Sequence, residues 1–92
     1  MEIVTLDEMK SYLKVDYDDD DELLISLLES ANEMCLETIR SDDIFAFAHY
    51  SNSRIAIMYA VAFMYENRDK TDYRQLMMSL RSILSGIRKA IF

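Results

Sequence analysis

Asp16, Asp18 and Asp20 stand on alternate positions, the interval at which the first three ligands of a calcium-binding loop occur. The remainder of such a loop is missing. Asp21 occupies the place where the turn needs glycine, and Leu27 the place where a bidentate glutamate must complete the shell. The carboxylates from Asp16 to Glu22 therefore read as a helix cap and a solvated acidic tip, because negative charge is favoured at the positive end of a helix dipole. His49 is the only histidine and has no cysteine or second histidine with which to build a zinc site. Ser51 and Ser53 lack the glycine-flanked context that orients a nucleophilic serine, so a loop-capping or half-buried histidine is expected. Cys35, the only cysteine, lies on an apolar helical face with no basic neighbour to lower its pKa, and it reads as a small hydrophobe. No catalytic residue, metal ligand or cofactor site is expected, and an enzyme is not.

Charge is arranged more tellingly than chemistry. The net charge is -7, yet residues 1–43 hold fourteen acids and three bases while residues 44–92 hold three acids and seven bases. From Tyr73 onward Arg74, Arg81, Arg88 and Lys89 occur with no acid at all. Arg74, Arg81 and Arg88 recur every seven residues and share one face of the last predicted helix. Glu29, Glu33 and Glu37 line up with Glu22 and Ser26 on the polar face of an earlier one. The arginines make a thin nucleic-acid footprint, since no aromatics interleave with them and the acidic half repels phosphate. These six residues are the candidate subunit or partner interface, against the plainer reading of two solvated faces.

The elements that must position them are helical. With 51% hydrophobic residues at helical spacing, no proline and one glycine, Gly86, the 92-residue chain is expected to be a single all-α domain. A bundle of about four helices with an apolar third helix at its centre follows. A chain this short buries only about 60–65% of its unfolded surface, so oligomerisation would help it. The lone cysteine permits no intramolecular disulfide and fits a reducing compartment. The opening residues carry Glu2 and a capping signal in place of a secretory leader, and the uncharged run Ile55–Tyr65 is about half the ~20 residues needed to cross a bilayer.

Thr5-Leu6-Asp7-Glu8 is a capping box, with Val4 placed to staple onto Met9, and predicts a short helix ending near Lys14. Asp19 or Asp20 caps the second helix, whose apolar face is Leu24, Leu28, Ala31, Cys35 and Ile39 and whose end carries Arg40. Ile44 to Tyr50 reads as a loop with one helical turn. The third helix, capped by Ser51 or Asn52, runs to Asn67 over roughly 24 Å, with Ala56 and Ala60 allowing a close neighbour; its apolar run needs cover on nearly every side. Thr71 caps the fourth, where Tyr73, Leu76, Leu80, Ile83, Ile87 and Ala90 form a heptad-like seam. Met58, Met64, Met77 and Met78 fit either core or an adaptable surface.

Three strings together resemble a known family. TLDEMKSYLKVDYDDDDELLISLLESA, with Lys10, Leu13, Val15 and Asp16, resembles the opening of the small head-tail connector, or head-completion, proteins of long-tailed bacteriophages and prophages, sometimes described as DNA-packaging proteins. AVAFMYENRD, with Tyr65, Glu66, Asn67 and Arg68, resembles that family's most recognisable segment, and LRSILSGIR its last one. Met77-Met78-Ser79 departs from the Pro-x-Gly-type turn that relatives often carry there, which implies a longer, less hinged last helix. The resemblance implies a virion protein at the head-tail junction, assembled in the bacterial cytoplasm. It would form a ring beneath the phage portal protein, pass DNA without binding it specifically, and dock a later head-completion or tail protein. Tyr65 to Arg68 would serve structure, and no membrane is involved. The alternative is a small acidic cytosolic adaptor or inhibitor that occupies a basic surface on another protein.

Overall fold

The computed structural model describes residues 3–39, 47–50, 52–69 and 72–85. Four helices occupy them: α1 (Leu6–Leu13), α2 (Asp21–Thr38), α3 (Asn52–Glu66) and α4 (Tyr73–Ile83). No strand occurs among the described residues, and the architecture is a small all-α bundle.

The capping box forms as its sequence dictates: the Glu8 amide donates to Thr5 Oγ1 at 3.1 Å and the Thr5 amide to Glu8 Oε1 at 3.0 Å. Val4 and Met9, the staple pair, are both buried. The helix closes in a Schellman turn, with the Val15 amide donating to Lys10 O at 2.9 Å and Lys14 in the left-handed region at φ 60°. Lys10 then reaches across the acidic run, its Nζ 2.7 Å from Asp18 Oδ1 and 2.8 Å from Asp21 Oδ1. These two carboxylates, Asp18's first, push the Lys10 ammonium above the ordinary lysine range. The acidic tip thus carries a protein cation, and among the described residues no group of three or more His, Cys, Asp or Glu is placed to hold a metal ion.

Arg54 fastens α1 to α3. One nitrogen donates to Ile3 O at 3.0 Å and the other pairs with Glu8 Oε2. The Arg54 hydrogen bond, and after it the Thr5 amide, holds the Glu8 carboxyl down to about 2 from its ordinary 4.5. A carboxyl whose folded pKa is depressed stabilises the fold fully above its unfolded value, and loses that contribution as the pH falls through the folded one. Glu8 is accordingly expected to titrate near pH 2, with α1 loosening only between about pH 4.5 and 2. Side-chain carboxyl NMR should follow this, and Arg54→Ala should move the Glu8 midpoint back toward 4.5.

The predicted face of α2, Leu24, Leu28, Ala31, Cys35 and Ile39, is buried throughout. Burial pushes the Cys35 thiol up to about 12, so it stays protonated and inert at neutral pH. Asp20 holds the N-cap position, but its side chain does not cap the helix. It accepts instead from the Tyr65 hydroxyl of α3. Ala31, Ala56 and Ala60 have no solvent exposure, and small residues on both helices let α2 and α3 make the most extensive helix pair of the bundle.

One cap differs from expectation, that of α4. Asn52 is the first residue of α3, and its Nδ2 donates to Ile83 O at 3.2 Å, tying the start of α3 to the end of α4. Asp72 caps α4 by accepting from the Gln75 amide at 3.1 Å; Ser51 and Thr71 lie outside the described residues, as do Arg40 and Gly86. In the predicted α4 seam Leu76 and Leu80 are buried and Ile83 half-buried, whereas Tyr73 is 58% exposed. Leu84, just past the helix, takes a fully buried place instead, while Ile87 and Ala90 are not among the described residues.

The connection between α2 and α3 carries a turn of helix at Phe47 and Ala48, and residues 40–46 lie outside the described set. Phe47 is fully buried, the largest side chain so placed among the described residues. The uncharged stretch of α3, Ile55–Tyr65, is not covered on every side: Ile55 is 58% exposed, and Met58, Tyr59, Ala62 and Phe63 are half-buried. α1, α2 and α4 all pack on α3, and the Tyr59 hydroxyl donates to Ser79 Oγ of α4 at 3.2 Å.

Candidate assembly interface

α2 presents to solvent what it does not bury. Glu22, Ser26, Glu29, Glu33 and Glu37 are all exposed, and Ile25, 44% exposed, sits among them. On α4 the exposed row runs Arg74, Met78 and Arg81, with Met78 61% exposed between the two guanidinium groups. Spacings of four and three put these three residues along one line of the helix. Arg88 lies outside the described residues. The ion pairs among the described residues are Lys10 with Asp18 and Asp21, Arg54 with Glu8 and Arg68 with Asp20. None uses Glu29, Glu33, Glu37, Arg74 or Arg81. Each stripe therefore offers one sign of charge with an exposed apolar side chain, Ile25 or Met78, set into it.

Tyr65 to Arg68 divides into two jobs. Tyr65 Oη donates to Asp20 Oδ2 at 2.6 Å and lies 3.2 Å from Tyr17 Oη, joining the end of α3 to the start of α2. The Asp20 carboxylate, and then Tyr17, hold the Tyr65 hydroxyl above the ordinary tyrosine range. The Arg68 guanidinium carbon lies 4.8 Å from the centroid of the Tyr65 ring, with Nη1 3.8 Å from the same Asp20 oxygen. Asn67 Nδ2 donates to Phe63 O at 2.8 Å, over the last turn of α3. Glu66 is exposed and, with Asn67, borders a groove of about 570 Å³ between α1 and α3 whose walls include Tyr12, Tyr59 and Phe63.

Reading the sequence alone misses Tyr17 and Asp20 as partners of this motif. Tyr17 is the one aromatic inside the acidic run, and that interruption is the only local signal of it. Arg68→Ala is expected to lower stability by at most about 1 kcal/mol, the scale of an exposed ion pair, which a thermal melt would register as a drop of a few degrees. A variant that melts like the wild type yet loses binding to a head or tail protein would instead make Arg68 a contact residue.

No described helix is long and apolar enough to cross a membrane. Comparison with curated proteins and with solved structures gives no match. A family described as phage gp6-like head-tail connector protein matches residues 3–91, from the staple ahead of α1 to beyond α4. That match takes in both charged stripes and the Tyr65–Arg68 knot together, and with it the chain belongs to the phage gp6-like head-tail connector proteins, structural components of the virion that join other head and tail proteins.

Proposed function

We propose that copies of this chain form a ring beneath the portal, through which DNA passes and onto which a later head-completion or tail protein docks. The observation that carries this reading is the pair of solvent-facing stripes, acidic on α2 and basic on α4, each with its own exposed apolar residue, Ile25 and Met78. A surface complementary to a different surface of the same molecule makes a heterologous contact, and such contacts close into rings when the rotation allows. Glu29, Glu33 and Glu37 of one copy would face Arg74, Arg81 and Arg88 of the next. Acidic surface left over in the lumen gives phosphate nothing to neutralise it, so DNA slides past without specific binding. The role is one of assembly, with no catalytic step and no cofactor.

Solution mass measured across a concentration series, alone and with the phage portal protein, tests this. Ring-sized species, or co-sedimentation with portal, are expected. A chain that stays monomeric at every concentration and ignores portal would refute the reading, and would favour an acidic regulator that covers a basic surface on a host protein.

A further inference from the structure

A groove of about 410 Å³ runs between α2 and α4, and its lining is unusual for a surface recess. Met34, Met64 and Met77 supply the apolar part, Glu33 and Glu37 stand at the α2 wall, and Tyr73 stands at the α4 end. Met64 is 3% exposed while Met34 and Met77 are half-buried, so thioethers at graded depth lie beneath a carboxylate wall. Methionine adapts its shape to what fills it. The occupant such a site selects is a segment in which apolar residues and cations stand side by side.

The chain contains one such segment. Arg88-Lys89 is the only pair of adjacent cations in the sequence, set between Ile87 on one side and Ile91 and Phe92 on the other. No acid occurs within it or anywhere after Asp72 to compete for the cations. We propose that the segment Ile87 to Phe92 of one copy seats in the α2–α4 groove of a second copy, its apolar residues on the methionines and Arg88 and Lys89 against Glu33 and Glu37. This rests on the ring reading and deepens it, naming the socket and the plug of the contact between neighbours.

Direction favours a second copy over the same one. The groove borders the Tyr73 end of α4, whereas the chain leaves that helix at Leu84, about 16 Å further along at 1.5 Å per residue. To fill its own groove the segment would have to reverse within a few residues and run back along α4.

Cysteine pairing tests the proposal in the full-length chain. One version carries Met77→Cys and another Ile91→Cys, the two are co-expressed, and the assemblies are oxidised mildly; Cys35, fully buried with its thiol pushed up to about 12, is a spectator. Tyr73→Cys, at a 58% exposed position on the same wall, replaces Met77→Cys should the latter melt early. A disulfide-linked heterodimer on a non-reducing gel is expected, and its yield should fall at least about tenfold when Glu33→Lys and Glu37→Lys are added to the groove-bearing chain. Mixed assemblies that form normally by mass but give no heterodimer from either groove position would overturn the socket and leave the ring reading standing. A link confined to single chains, seen when Met77→Cys and Ile91→Cys share one polypeptide, would likewise overturn it in favour of a self-filled groove. Failure of the wild type to assemble, alone or with portal, would bring down the ring reading and this one with it.

Discussion

Phe47→Ala is expected to cost about 3–5 kcal/mol, the range for removing a fully buried aromatic from a core. Phe47 is the largest side chain without solvent exposure among the described residues, and it holds the connection between α2 and α3 down onto the bundle. Domains of this size are stable by only about 5–15 kcal/mol, so a loss of that order removes a large share of the total. At roughly 4–8 °C per kcal/mol the midpoint should fall by about 12–40 °C, followed by circular dichroism on heating. Ile55→Ala is the matched control. Ile55 is 58% exposed on α3, and away from the core a substitution stays within about 0.5 kcal/mol. A Phe47→Ala protein that melts within a few degrees of the wild type would show that the connection is dispensable to the core.

Most of the helices were legible because each carries a local signal with a local cause. The capping box of α1 needs only Thr5 and Glu8, three residues apart, and it forms as written. The apolar face of α2 follows from periodicity alone, and Leu24, Leu28, Ala31, Cys35 and Ile39 are all buried. What could not be read depends on where a second element lies. Asp20 looks like a cap, yet α3 places Tyr65 Oη 2.6 Å from its carboxylate and takes it away from the backbone. Asn52, one of the two cap candidates, begins α3, and its bond to the Ile83 carbonyl depends on where α4 ends. Tyr73 falls in the heptad register but lies on the edge of the α2–α4 groove, where it is 58% exposed. Phe47 sits in a stretch of alternating apolar and small residues, which fits loop and helix equally, so its burial was legible only from the packed bundle. For the candidate interface the sequence yields the two stripes and their faces, but Ile25 and Met78 emerge as exposed apolar residues only once burial is known.

Arg81→Glu combined with Arg88→Glu is expected to break assembly while leaving the subunit folded. Arg81 is exposed and enters no ion pair among the described residues, and exposed single pairs contribute only about 0–1 kcal/mol to a fold, so helical content should hardly change. Between subunits the same change turns attraction into repulsion at every joint of a ring. A cost of about 1.4 kcal/mol per joint weakens each contact tenfold, and a closed ring has no joint to spare. Sedimentation should therefore show the double variant shifted to small species at concentrations where the wild type assembles. Raising the salt should push the wild type the same way, since screening acts within roughly 10 Å at 0.1 M. Compensation decides whether the two stripes meet: Glu29→Arg with Glu33→Arg, added to the arginine variant, should restore part of the assembly if carboxylate and guanidinium face one another across the joint. An arginine variant that assembles like the wild type, alone and with portal, would make both stripes solvent faces. The contact would then fall to the flank of α3 around Ile55, which is 58% exposed.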